Sequence, residues 1–259
     1  MAWNKRLLRG KLRALSIHLA ISALAFLPIF YLIWTCWFPA PFFFTDGGVQ
    51  GLRLMLAVDL VIGPSLTFLI FNTAKSRREL FLDFSLIALI QAAALGYGLY
   101  NVEQKRIWVI ALQDDTFHAV SGDTYKSQTV PAGQWSQYGT HPPYWVLVRT
   151  PKNPDEVAGV GAYAMIEGLD SFQIQYLYEP LSQHLDAIQQ SSHTAPTKNG
   201  DAAVSDLELQ TYKTQHPEAL YFIKHQGYFR DAVLAFDAQG RYVGAVYSST
   251  AHTYDKATK

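Results

Sequence analysis

Asp59 is the single charged residue of an 18-residue apolar run, 54–71. An ionised carboxylate at the centre of a bilayer costs about 2.5–3.5 kcal/mol, so it must face other helices and find a partner. Gln91 and His18, each in another apolar run, are the candidate partners. Such a group can relay protons or contact a membrane-embedded partner. It can equally act as interhelical glue worth around 1 kcal/mol. Gly63 and Pro64 follow in the same run. Proline removes one helix hydrogen bond and kinks the segment, which can turn Asp59 toward neighbouring helices.

Elsewhere the reactive residue types lack the spacing that chemistry needs. There is no Gly-x-Ser-x-Gly elbow, no phosphate-binding Gly-Lys-Ser/Thr loop and no His-Glu-x-x-His pair. The eight histidines (18, 118, 141, 184, 193, 216, 225 and 252) are scattered without ligand spacing. His184 and His193 flank a predicted helix end and are read as solvated. Cys36 is the only cysteine, which excludes cysteine-cluster metal sites and an intramolecular disulfide. Asp114 and Asp115 could pair as acid and base, but adjacent turn residues point apart. The expectation is a protein that is not an enzyme and uses no metal or cofactor.

The elements that must position Asp59 are long apolar runs. Residues 15–38, 54–71 and 84–102 span 24, 18 and 19 residues. About 20 apolar residues cross the hydrocarbon, and the backbone there must be helical because lipid offers it no hydrogen bonds. Three transmembrane helices are predicted. The first run is too long for a signal-peptide core, and Trp34, Trp37 and Phe38 stand where small cleavage-site residues would be needed. Lys5, Arg6, Arg9, Lys11 and Arg13 precede the first run, and Lys75, Arg77 and Arg78 separate the second from the third. The positive-inside rule places both segments in the cytoplasm and everything after residue 102 outside. Trp34, Trp37 and Phe42–Phe44, with Tyr97, Tyr100 and Trp108, suit an aromatic belt at the outer interface.

Ala88, Ala92 and Gly96 recur at four-residue spacing in the third run, with Ala94 and Gly98 as a second pair. Small residues so spaced let helix backbones approach. The three spans are expected to pack on one another there, though a foreign helix could use the same surface.

Residues 103–259 resemble an ordinary soluble protein, with 12 Lys/Arg and 17 Asp/Glu. A net charge of about −5 gives no footprint for nucleic acid. The domain, bounded at 103–250, is expected to be α+β with antiparallel strands. Alternation and turn signals predict strands at 107–112 and 116–120 joined as a hairpin, and at 144–149, 220–224, 230–236 and 241–248. The last two are read as a central hairpin. Helices are predicted at 154–167, at 180–190 and at 205–215, the last with a Ser205–Glu208 capping box. Residues 191–203 read as a polar linker and 251–259 as a flexible tail.

The segments AVDLVIGPSLTFLIFN (57–72) and LFLDFSLIALIQAAALGYGLY (80–100) resemble the membrane segment of the type IV pilin accessory proteins of the TfpX/TfpZ class. The matching positions are Asp59, Gly63, Pro64 and Thr67, then Asp83, Gln91 and Gly96 to Tyr100. WFPAPFFFTDGG (37–48) resembles the loop before that family's second span. The resemblance covers residues 10–120 well and the rest in layout. It implies a multi-pass inner-membrane protein with a cytoplasmic N-terminus (1–14), three spans and a periplasmic domain. Its implied role is accessory and chaperone-like, in assembly or stability of a cognate type IV pilin. The implied partners are the pilin's transmembrane helix and periplasmic head, within the lipid bilayer.

A membrane-anchored sensor is the competing class, but it needs a cytoplasmic output domain, and the predicted cytoplasmic segments hold only about 14 and 9 residues. A membrane-anchored periplasmic enzyme is the other. The predicted orientation is checked by reporter fusion: alkaline phosphatase joined near the carboxyl end is expected to be active, and the same reporter joined within 72–80 inactive.

Overall fold

A computed structural model describes residues 5–72, 74–125, 132–193 and 204–247. Residues 1–4 of the basic N-terminus, most of the 191–203 linker and the 251–259 tail lie outside the described residues. The chain forms two compact units, Met1–Trp37 with Gly48–Gln104, and Phe38–Gly47 with Lys105–Lys259.

The first unit is helical. Helix α1 (Lys5–Leu32) ends in a π turn, Ile33–Trp37. The four-residue helix α2 (Phe42–Thr45) belongs to the second unit. Helix α3 (Gly48–Leu56), a π turn (Ala57–Ile62) and α4 (Gly63–Ile70) run on as one rod. Helix α5 spans Arg77–Gln104. Leu7–Trp37, Gly48–Ile70 and Arg77–Gln104 are each long and apolar enough to cross a membrane. The helices outrun the apolar stretches because Lys, Arg, Leu and Glu are good helix formers. At the start of α5, Ser76 N–H donates to Glu79 Oε2 (2.7 Å) and Glu79 N–H to Ser76 Oγ (3.3 Å). This capping box satisfies two otherwise orphaned amides, and the sequence reading passed over it.

The second unit carries a seven-stranded sheet: β1 (Ile107–Gln113), β2 (Thr116–Ser121), β3 (Tyr144–Val148), β4 (Tyr178–Pro180), β5 (Tyr221–Gln226), β6 (Ala232–Phe236) and β7 (Tyr242–Tyr247). Their order is β4-β3-β1-β2-β5-β6-β7. Asp114 and Asp115 form the β1–β2 turn, both with positive φ. The sheet is mixed and not purely antiparallel: β1 pairs with β3, and β2 with β5, in parallel. Parallel neighbours need long crossovers, and alternation along one strand says nothing about its partner's direction. The β6–β7 hairpin lies at the sheet's edge and not at its centre.

Helix α6 (Pro154–Glu167) starts where Asn153 Oδ1 accepts from Glu156 N–H (2.8 Å) and ends at Gly168, φ 65°. The predicted 180–190 helix divides into a 3-10 turn, Leu181–Gln183, and α7, Leu185–His193. His184 stands at the break, and its Nε2 lies 3.0 Å from Glu179 Oε2, so it is paired where it was expected to be solvated. Helix α8 (Asp206–Gln215) carries the Ser205–Glu208 capping box. One side of the sheet holds an aromatic core in which Trp135 stacks on Tyr144 and the Tyr125 and Tyr178 hydroxyls hydrogen-bond at 2.6 Å. Burial pushes both phenols well above their ordinary pKa.

Ten residues from the helical part of the sequence complete this sheet unit. The strap Phe38–Gly47 buries Phe38 and Phe42 and sets the Phe42 ring edge-on to His225 at 5.3 Å. Asp46 Oδ2 lies 2.8 Å from His225 Nε2, and both side chains are almost wholly buried. Asp46 also accepts from Thr45 Oγ1 (2.6 Å) and Tyr228 N–H (3.0 Å). His225 Nδ1 faces the Phe117 carbonyl at 3.1 Å. The two ring nitrogens thus face the Phe117 carbonyl and the Asp46 carboxylate, which fix the ring's orientation in the core. The belt expected at Phe42–Phe44 is corrected accordingly. Phe42 and Phe43 are core residues of the sheet unit, and Phe44 alone of the three is exposed. The His225 imidazole inside the fold, within reach of Asp46, holds the strap inward.

Removing one partner of a buried pair strands the other, at about 3–5 kcal/mol. Asp46→Ala is expected to lower the unfolding free energy of the detergent-solubilised protein by that order. Asp46→Ala with His225→Ala is expected to cost less than the two single losses added together. Denaturant unfolding read by near-ultraviolet circular dichroism checks both.

Candidate functional site

The candidate site grows from one line of buried residues: Met55, Asp59, Gly63 and Thr67 are each buried along the Gly48–Ile70 rod. An α-helix turns once in about 3.6 residues, so a strict four-residue line walks about 40° around it at each step. A π turn is wider, with hydrogen bonds reaching five residues back, and takes up that drift. Gly63 N–H indeed donates to the Val58 carbonyl. Pro64 supplies the local cause, since it has no N–H for the Leu60 carbonyl. Ser65 Oγ donates to the Val61 carbonyl at 2.6 Å and satisfies one acceptor at the irregularity.

Asp59 Oδ1 accepts from Gln91 Nε2 at 3.0 Å. His18, the other candidate partner, instead meets Thr67, with Nδ1 2.6 Å from Oγ1. Gly63 makes the first bond possible. A Cβ at that position would lie 1.9 Å from Gln91 Nε2 and 2.5 Å from its Cδ. The glycine is needed here for close approach, while its φ of −59° is ordinary helix.

These polar groups line a cleft of about 760 Å³ that parts α1 from α5. Ala14, His18 and Ser22 line it from α1, Asp59 and Thr67 from the middle rod, and Ala88, Gln91 and Ala92 from α5. The expected packing of the small-residue stripe is therefore corrected. Ala88, Ala92 and Gly96 are exposed, and a Cβ on Gly96 would have nothing within 4 Å. The second pair does pack inward, as Gly98 lies against Met55. The middle rod binds one side of α5 and leaves the other open. Asp83 lies apart from this cluster, in a half-exposed ion pair with Lys75 (2.6 Å).

The sequence reading missed Ala14 and Ser22. Gly10, Ala14, His18 and Ser22 repeat every four residues along α1, the same signal that singled out 88, 92 and 96. Chemically the cleft offers a carboxylate, a carboxamide, an imidazole, two hydroxyls and the Arg13 guanidinium, between walls that mix small side chains with Ile17, Ile21, Phe71, Phe84 and Leu95. Among the described residues, no three His, Cys, Asp or Glu side chains gather as a metal site would require.

The chain is 28% identical over 203 residues to the fimbrial assembly protein of serogroup E1 from Dichelobacter nodosus, covering 76% of this chain and 77% of the relative. The serogroup I protein is 28% identical over 181 residues, covering 68% and 69%. The protein of serogroups C1 and C2 is 32% identical over 105 residues, which is 40% of this chain and 80% of the relative.

The chain belongs to the fimbrial assembly protein family. That agrees with the type IV pilin accessory resemblance carried by residues 57–72 and 80–100. No family model and no solved structure matches this fimbrial assembly family member.

Because Gly63, Gln91 and Asp59 act together, their substitutions should be coupled. In Gly63→Ala the Gln91 amide can swing aside only by giving up Asp59. Gly63→Ala and Gln91→Ala are each expected to cost about 0.5–2 kcal/mol. The double variant should cost clearly less than their sum, as read by thermal unfolding in detergent.

Proposed function

We propose that this protein is an accessory, chaperone-like factor for assembly or stability of a cognate type IV pilin in the bacterial inner membrane, and that the α1–α5 cleft receives the pilin's transmembrane helix. In this reading residues 105–247 face the periplasm and meet the pilin head, the N-terminus is cytoplasmic, and the protein performs no enzymatic step. The observation that carries it is the open cleft wall of Ala88 and Ala92 beside Asp59, Gln91 and His18, with Gly96 exposed one turn further along α5. In lipid, helices associate through close packing of small residues and through interhelical hydrogen bonds. The cleft presents both.

Two further facts support membrane insertion. Leu24, Leu69 and Leu89 are each about 70% exposed on the helical unit, an apolar surface suited to acyl chains and not to water. The strap Phe38–Gly47 shares a core with residues after Lys105, so both lie on the same side of any membrane. The two intervening rods, Gly48–Ile70 and Arg77–Gln104, are each long and apolar enough for the two crossings that this reading needs to return the chain to that side. The fimbrial assembly names of the relatives support the pilus as the destination.

A photo-crosslinking residue at Ala88 is expected to capture a pilin in intact cells. Ala92→Phe, which fills the cleft, should abolish that product and reduce piliation at least tenfold at normal protein level. Leu89→Phe, on the outward face, should leave both unchanged. Normal piliation in Ala92→Phe would remove the cleft from the mechanism. Altered envelope chemistry in a deletion strain would favour a membrane-anchored enzyme instead.

A further inference from the structure

The sheet unit carries a distinct aromatic surface where the β5–β6 loop meets the strap. The β5–β6 loop presents Tyr228 and Phe229, 58% and 38% exposed, next to Phe44 of the strap at 46%. Phe229 N–H donates to the Thr45 carbonyl (2.7 Å), and Arg230 N–H reaches the same oxygen at 3.3 Å. With the Tyr228 amide on Asp46, these bonds lock the loop onto the strap. The Phe44 ring meets Tyr247 at 5.7 Å, and the Arg230 guanidinium lies over that same Tyr247 ring at 5.6 Å. Arg230 has no carboxylate partner among the described residues, and its buried Nε has no hydrogen-bond acceptor. The neighbouring acids are already engaged: Asp46 holds His225, and Asp231 accepts from Gly227 N–H and lies 3.9 Å from Lys224.

We propose that Phe44, Tyr228, Phe229 and Arg230 form a phospholipid-binding surface by which the sheet unit rests on the bilayer interface. The occupant follows from the chain's connectivity. The strap is ten residues long and joins apolar helical rods at both ends. At about 3.3–3.6 Å per extended residue, no strap residue can lie further than roughly 17 Å from one of those rods. Whatever the strap holds is thereby kept near the place where the helices leave the membrane. The amphipathic tyrosine ring favours the headgroup level, and apolar phenylalanine rings beside it suit the headgroup–acyl boundary. A guanidinium presents a fork that matches a phosphate. Three exposed aromatics with one carboxylate-free arginine fit a phospholipid on both counts. The inference does not depend on the pilin reading.

The test uses the full chain with Cys36→Ser in lipid nanodiscs of phosphatidylethanolamine and phosphatidylglycerol, without any pilin. Single cysteines replace Phe44, Tyr228 or, at the far end of β6, the exposed Gln239, and each carries an environment-sensitive fluorophore. Headgroup-depth spin-labelled lipids are expected to quench positions 44 and 228 at least threefold more than 239. Arg230→Gln should reduce quenching at 228, with the near-ultraviolet spectrum confirming the fold. Equal quenching at all three positions overturns the proposal. So does a probe at 228 that is shielded in intact cells but water-exposed in nanodiscs, because the occupant would then be a protein.

Discussion

Everything in the helical unit depends on one close approach: a carboxamide reaching a carboxylate across a position that has no side chain. A carboxylate in an apolar segment is tolerable only when paired. Its pairing here requires Gln91 to pass directly over Gly63. The glycine, the following proline and the π turn between Leu56 and Gly63 are therefore parts of one device. The widened turn keeps Met55, Asp59, Gly63 and Thr67 on one face, where a regular α-helix would carry them progressively around the rod. Because that face holds α5 by one side, the opposite side of α5 stays open. The cleft is a by-product of how the buried acid is satisfied.

Much of this was legible in the residues. Asp59 announced a partner because of where it stands, and Gln91 was one of two that could reach it. Local signals also fixed several elements of the sheet unit. Asn153-Pro154 begins α6 with an accepting side chain and a fixed φ, and Ser205 with Glu208 begins α8. Asp114-Asp115 turns β1 into β2. Each of these is decided within a few residues of chain, which is the range over which sequence pattern carries information.

What the residues did not reveal is non-local. Nothing in the alternation of β1 indicates that β3 runs parallel to it, or that β7 ends the sheet. The short strand β4 emerges from a string of 3-10 turns whose apolar residues have no period. The strap was the largest surprise. Its run of phenylalanines between two apolar segments has the composition of an interfacial belt, and only a histidine 179 residues later makes it part of a folded core. His18 shows the same limit on a smaller scale, since its choice of Thr67 over Asp59 depends on how α1 packs against the middle rod.

That separation has a consequence for biosynthesis. The sheet unit is assembled from two stretches of chain made far apart in time. At about 5–20 residues per second, the strap emerges roughly 10–35 s before the strand that captures it. During that interval Phe38, Phe42 and Asp46 have no core to enter. The nascent chain must hold this segment exposed through the synthesis of two further long helices. A fragment beginning at Lys105 would lack it altogether, and would be left with a buried histidine facing an empty position. The soluble-looking part of the protein therefore includes a piece of chain made long before it, and the completion of its core waits on the ribosome reaching β5.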